Sequence, residues 1–180
     1  MSHKNTLLIL NPGFEEIEAV TPLDLLRRAN ISVTLASTSN HLLVTGKNNI
    51  TLQADIPLEK VLHESFDAII LPGGPGVATL RKLPSLKPLL TQHHKNNKLI
   101  AAICAAPLVL LDADLLQNKQ YTAHFSTKQE LPNALDQSVV IDQNLITSQG
   151  AGTALDFGFA IINFLVGSST TDSIKKSICL

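Results

Sequence analysis

Apolar positions along the chain fall into two patterns, and their alternation predicts the fold. Unbroken apolar runs at Thr6 to Leu10, Asp67 to Leu71 and Leu99 to Ile103 read as strands covered on both faces, as in parallel sheets. Ile31 to Ser37 is a further strand. Between these runs the periodicity turns helical. Ile17, Val20, Leu23 and Leu26 mark one helical face from Glu15 to Arg28. Acidic residues fill its first turn and Arg27-Arg28 its last, the order the helix dipole favours. Pro22 inside this segment predicts a kink, or a break after the first turn. Ala78 to Lys82, Ser85 to Lys95, the apolar run after Pro107, and Ala154 to Val166 read as further helices. Leu42 to Thr45 and Asn49 to Gln53 predict a hairpin around Gly46-Lys47-Asn48, and Val139 to Asp142 with Leu145 to Ser148 a second one across Gln143-Asn144. Lys119 to Ala123 reads as a short strand ending at His124. Ser168 to Leu180 is polar and reads as a short helix or a loose tail.

Strands alternating with helices predict an α/β fold: a mainly parallel sheet with helices on both faces, one domain over residues 1–180. Sites in such sheets lie beyond the carboxyl ends of the strands. Gly13 to Glu18, Pro72 to Gly76, Cys104 and Gly150 to Thr153 each follow an apolar strand, and His124 follows a weaker one. Topology therefore predicts that they converge on one rim.

Composition narrows the function classes. Hydrophobic content of 44% and charged content of 16% suit a globular protein, and the net charge of −1 comes without a basic block. That argues against nucleic acid held by charge. The apolar runs are too short to span a bilayer. Thr6 to Leu10 is also too short for a signal-peptide core, so a cytoplasmic location is the expectation. Cys104 and Cys179 do not make a disulfide framework. Neither sits in a zinc-binding pattern, so no metal is expected.

The stretch Leu99 to Leu108 carries the candidate chemistry. A buried strand meets Cys104; small Ala105 and Ala106 follow, then Pro107 and a helix. This is the layout of a nucleophile elbow, where a tight turn leaves no room for large neighbours. A thiol at a helix start faces unpaired N–H groups, which favour thiolate. The stretch alone fits a buried inert cysteine equally well. Glu18 could point over the rim toward Cys104 and shuttle a proton, with its pKa raised by burial. Glu15 and Glu16 read as a solvated first turn. Pro72-Gly73-Gly74-Pro75-Gly76 lacks dinucleotide and P-loop spacing. It reads as a tight turn, or as an oxyanion hole in which an N–H near Gly74 joins that of Ala105. His124 is a structural histidine or the partner of a reactive cysteine. His3, His41, His63, His93 and His94 lie in polar or helical-surface contexts and receive no role, and Cys179 reads as incidental.

Four motifs in order resemble one family. Gly13-x-Glu15-Glu16-x-Glu18, Leu71-Pro72-Gly73-Gly74, Ala101 to Pro107, and Thr147-Ser148-Gln149-Gly150-x-Gly152-Thr153 are similar to the ThiJ/PfpI superfamily. Within it they resemble the branch of the parkinsonism-associated protein deglycase and bacterial YajL-like proteins. The resemblance runs from Thr6 to Val166. It implies a flavodoxin-like three-layer sandwich of the class I glutamine amidotransferase type, and a homodimer. It implies that Cys104 is the reactive thiol, with Glu18 a protonated carboxyl bonded to it and His124 the nearby histidine. Gly73, Gly74 and Ala105 match the oxyanion pocket. The activities it implies are glyoxalase-type conversion of methylglyoxal or glyoxal without glutathione, deglycation of early adducts, redox sensing through an oxidisable cysteine, and chaperone action. None needs a cofactor; the partners are small reactive carbonyls or glycated adducts.

Three departures from the family pattern bear on function. Ala105 stands where the protease-like branch carries a histidine after its cysteine, which argues against a PfpI-type peptidase. The hairpin arginine that closer relatives often carry, which reaches the partner's site, aligns with about Asn48 beside Lys47, so the resemblance implies anion contacts across the dimer that are weaker or come from Lys47. Gly150-Ala151-Gly152 replaces a Gly-Pro-Gly, and the C-terminal stretch is short.

Overall fold

The computed structural model describes residues 3–180. Among the described residues, nine strands and six α-helices follow one another along the chain. They are β1 (Asn5–Leu10), α1 (Glu16–Arg28), β2 (Ser32–Ser37), β3 (Leu43–Thr45), β4 (Thr51–Gln53), β5 (Ile56–Pro57), β6 (Ala68–Leu71), α2 (Val77–Leu80) and α3 (Leu86–Lys95). There follow β7 (Leu99–Ile103), α4 (Pro107–Asp112), β8 (Val139–Asp142), β9 (Leu145–Ser148), α5 (Ala154–Val166) and α6 (Ser168–Ser177). Seven strands form one sheet in the order β5-β2-β1-β6-β7-β9-β8, and β3-β4 form a separate hairpin. All neighbours in the large sheet are parallel except β8 and β9.

β6 and β7 are apolar at every position, and β1 from Leu7 on, because both faces of these strands are covered. Successive side chains point to opposite faces. Leu7, Ile9, Ile69, Leu71, Ile100 and Ala102 therefore enter one core with residues of α2, α3 and α4. Leu8, Leu10, Ala68, Ile70, Ala101 and Ile103 enter the other with α1 and α5. This is the flavodoxin-like three-layer sandwich expected from the sequence. The two helices over the second face approach closely at Gly158, where a Cβ would lie 2.6 Å from Leu25. None of the described helices is long and apolar enough to cross a membrane.

Two local expectations change. α1 runs unbroken through Pro22, since the ring removes one N–H while the buried face of the helix stays packed. Lys119 to Ala123 is extended but forms no strand. Both edges of β9 are already taken by β7 and β8, so the segment's donors go elsewhere. Thr122 N–H donates to Thr147 Oγ1 (2.9 Å) and Gln120 N–H to Asp142 Oδ2 (2.9 Å). The polar C-terminal stretch forms helix α6, with Thr171 and Ile174 turned inward. The short edge strand β5 goes unannounced in the sequence because it has only two residues.

Candidate active site

Loops from the carboxyl ends of the strands are laced together by backbone before any side chain contributes. Gly13 N–H donates to Thr45 O (2.9 Å), Gly76 N–H to Gly13 O (3.0 Å) and Glu15 N–H to Gly73 O (3.0 Å). Gly74 adopts φ +95°, and a Cβ there would lie 2.6 Å from both Glu15 N and Gly13 O. The glycine-rich turn lets the loop after β6 press against the loop after β1.

Cys104 closes β7 at φ +65°. A left-handed conformation at a residue other than glycine costs about 1–3 kcal/mol. Two backbone bonds hold it: Cys104 N–H donates to Ser148 O and His124 N–H donates to Cys104 O, both at 2.9 Å. The sharp turn expected from the sequence is present, but the helix starts only at Pro107. The N–H groups that face the thiol belong instead to Gly74 and Ala105.

Glu18 projects from the first turn of α1 and is 1% exposed. Its Oε2 accepts from Gly73 N–H at 2.8 Å, and its carboxyl lies beside the Cys104 thiol in the same pocket. Burial pushes the carboxyl up to about 7, against the pull of the Cys104 thiol and the Gly73 N–H. Burial likewise raises the thiol, and an ionised Glu18 raises it further, while the Gly74 and Ala105 N–H groups oppose both. Two buried acids in contact lose their first proton as a unit. Both shifts are upward, so burial disfavours the thiolate as well as the carboxylate, and a protonated Glu18 is the state that leaves the sulfur without a repelling neighbour.

Gly73 plays a different part from the one expected. Its N–H holds the carboxyl, which leaves Gly74 and Ala105 as the donors at the sulfur. A Cβ at residue 73 would lie 2.6 Å from Cys104 Cβ and 2.7 Å from Glu18 Oε2, so any side chain would separate acid from thiol. His124 lies on the same rim. Its Nδ1 contacts Ser126 Oγ at 2.8 Å and accepts from Ser126 N–H at 3.3 Å, which leaves Nε2 to carry the ring proton. Among the described residues no hydrogen bond joins this ring to Cys104 or Glu18.

Glu15 and Glu16 are buried, contrary to the solvated reading. The β3–β4 hairpin covers them. Glu15 pairs with Lys47 Nζ at 2.6 Å. Glu16 accepts from Asn48 N–H (2.7 Å), Asn48 Nδ2 (3.0 Å) and Ile50 N–H (3.4 Å). Burial opposes its charge, but these bonds outweigh it and hold Glu16 below the usual carboxylate range. Lys47 and Asn48 are therefore engaged within their own chain. Lys47 also lines the pocket of about 310 Å³ that contains Glu15, Glu18, Cys104, His124 and Ser126. Sequence reasoning missed the supporting roles of Glu15, Glu16 and Ser126. Nothing local announces a partner more than thirty residues away, as in the Glu16–Asn48 contact, whose separation is 32. No group of three or more His, Cys, Asp or Glu side chains among the described residues is placed to hold a metal ion.

The model of the DJ-1/PfpI family matches residues 4–164. The chain belongs to that family. The four motifs quoted from the sequence all border this pocket or its supporting turns. The chain is 36% identical to the glutathione-independent glyoxalase DJR-1.2 of Caenorhabditis elegans, over 99% of this chain and 98% of that protein. The crystal structure of Drosophila melanogaster DJ-1beta superposes with a TM-score of 0.94 at 36% identity, covering 99% of this chain and 98% of that one. An oxidized DJ-1 of Toxoplasma gondii superposes at 0.93 with 30% identity, over 98% of each chain. This DJ-1/PfpI member thus matches its relatives from β1 through α6.

Proposed function

We propose that this DJ-1/PfpI protein converts small α-oxoaldehydes, methylglyoxal and glyoxal, or their early adducts, with Cys104 as nucleophile and Glu18 as acid and base. One observation carries the reading: a dry carboxyl, fixed by Gly73 N–H, sits against a thiol at a strained strand end. The glyoxalase relative in Caenorhabditis elegans supports the choice of substrate. Cys104 thiolate bonds to the aldehyde carbon while Glu18 protonates the oxygen, giving a hemithioacetal. Glu18 carboxylate then removes the hydrogen of that carbon and returns it to the neighbouring carbonyl carbon through an enediol. The resulting thioester is hydrolysed to the 2-hydroxy acid, and the thiol returns. The oxygen of each intermediate faces the N–H groups of Gly74 and Ala105. The sequence of steps is an internal redox isomerisation plus hydrolysis, so acid, base and thiol suffice. The assay is lactate formation from methylglyoxal without glutathione. Equal rates for wild type and Cys104→Ser would sink the proposal.

A second reading rests on the same pair and on the oxidized Toxoplasma relative. Cys104 thiolate reduces two molecules of hydrogen peroxide to water and becomes sulfinate, to which protonated Glu18 donates. Intact-mass analysis under graded peroxide tests it. A stable two-oxygen adduct on Cys104 that disappears in Glu18→Leu supports it, and oxidation confined to Cys179 opposes it. The homodimer belongs to the proposal too. α1 exposes Ile17 and Val20, and the hairpin tied to it by Glu16 exposes Leu43 and Ile50. Sedimentation of wild type and Ile17→Lys tests that face.

A further inference from the structure

A second cavity, of about 280 Å³, adjoins the thiol pocket. The two share Gly74, Pro75, Ala105 and Ser126 as a common wall. Beyond that wall the second cavity is bounded by Val77 and Ala78 of α2 and Leu108 of α4, with Arg81 and Glu130 at its far side. Four of the five N–H groups of Arg81 are bound to carboxylates, and only one on Nη1 is left over. Its Nε and Nη2 bind Asp112 at 2.6 and 2.8 Å, and its Nη1 and Nη2 bind Glu130 at 2.9 and 2.7 Å. The guanidinium is outnumbered by the two carboxylates, so the far side repels an anion and does not attract one. Val77, Ala78 and Leu108 give the recess an apolar side one residue along the chain from Cys104, while Thr127 and Gln129 join Glu130 on its polar side.

We propose that this recess is a substituent subsite. It takes an uncharged aryl or branched alkyl group carried on the ketone carbon of an α-oxoaldehyde whose aldehyde carbon is bonded to Cys104. The subsite rests on the glyoxalase reading for its substrate, but the recess and its apolar wall stand on their own geometry. Methylglyoxal leaves the recess empty, whereas phenylglyoxal fills it. Burying an aromatic ring against apolar side chains strengthens binding of that substrate over the smaller one. A carboxylate on the ring meets Glu130 and loses the advantage.

Ala78 is the residue to change, because it is exposed on α2 and touches none of the reacting groups. Ala78→Leu places a side chain in the recess. Its kcat/KM for phenylglyoxal is expected to fall about tenfold, with less than about a twofold change for methylglyoxal. A second readout does not require turnover. In a Cys179→Ser background, Cys104 is alkylated by phenacyl bromide or bromoacetone; a carbon–sulfur bond forms and bromide leaves. Each rate is normalised to the same reagent with N-acetylcysteine. The phenacyl preference is expected to exceed one in wild type, to fall several-fold in Ala78→Leu, and to be absent for 4-carboxyphenacyl bromide. A preference that is missing in wild type, or unmoved by Ala78→Leu, overturns the subsite. If the preference behaves as expected but methylglyoxal yields no lactate, the subsite stands and the glyoxalase reading alone falls.

Discussion

Glu18→Gln isolates the cost of burying an ionisable carboxyl beside the thiol. Glutamine matches the protonated acid in shape: its Oε1 can accept from Gly73 N–H as Glu18 Oε2 does at 2.8 Å, and its amide can donate toward Cys104. The fold raises the carboxyl from 4.5 to about 7, and at 1% exposure water does little to screen it. The difference corresponds to about 3 kcal/mol. Its sign follows from which state holds the proton. Below about pH 4.5 both folded and unfolded chains are protonated, and the contribution of Glu18 to stability is complete. As pH rises toward 7, the unfolded chain has lost its proton while the folded chain still holds it, so stability drains away. Above about 7 both states are ionised and the loss levels off. The assay is urea unfolding of reduced wild type and Glu18→Gln between about pH 4 and pH 8. Wild type should lose about 3 kcal/mol relative to the variant across that window. Parallel profiles, or a wild type that gains on the variant as pH rises, would refute the reasoning.

Gly73→Ala drives a methyl to within 2.6 Å of Cys104 Cβ; it should cost about 1–3 kcal/mol and cut Cys104 alkylation at neutral pH at least about tenfold, read by intact mass. Glu16→Ala strands the Asn48 and Ile50 donors and should cost about 2–3 kcal/mol, with hydrogen exchange accelerated first in residues 43–53. Arg81→Met breaks contacts to partly exposed Asp112 and Glu130, so the loss should stay near about 1 kcal/mol by urea unfolding. His124→Ala should lower lactate formation less than about tenfold, since its ring is bonded to Ser126, whereas Cys104→Ser should abolish it.

The strands flanking the site were readable because their burial leaves an unbroken apolar signature, and β1, β6 and β7 begin and end close to the runs seen in the sequence. Their carboxyl ends put Glu18 and Cys104 on one rim through topology alone, whereas His124 reaches it without a strand, through its N–H bond to Cys104 O. The failures share a cause. Glu15 and Glu16 look like surface acids because acids at a helix start usually are. Their burial depends on a hairpin that the chain lays over them from Lys47 and Asn48. Lys119 to Ala123 has strand-like residues, but its donors at Gln120 and Thr122 go to the side chains of Asp142 and Thr147, which only the assembled sheet brings near. The thiol is the subtler case. Sequence places it at a helix start, whereas the groups that govern its proton are a carboxyl on α1 and an amide after β6.

The bond between Glu18 and Gly73 has a bearing on how the protein is made. It spans a separation of 55 residues, all of them translated before Cys104. Chains are synthesised from the amino terminus, and early segments can associate while later ones are still emerging. β1 pairs directly with β6, so the Glu18–Gly73 bond joins segments that are both made before β7. Ser148 and His124, which fasten the turn at Cys104, arrive last. The order of translation therefore delivers the proton partner before the nucleophile, and completes the strained turn only when the final strands close the sheet.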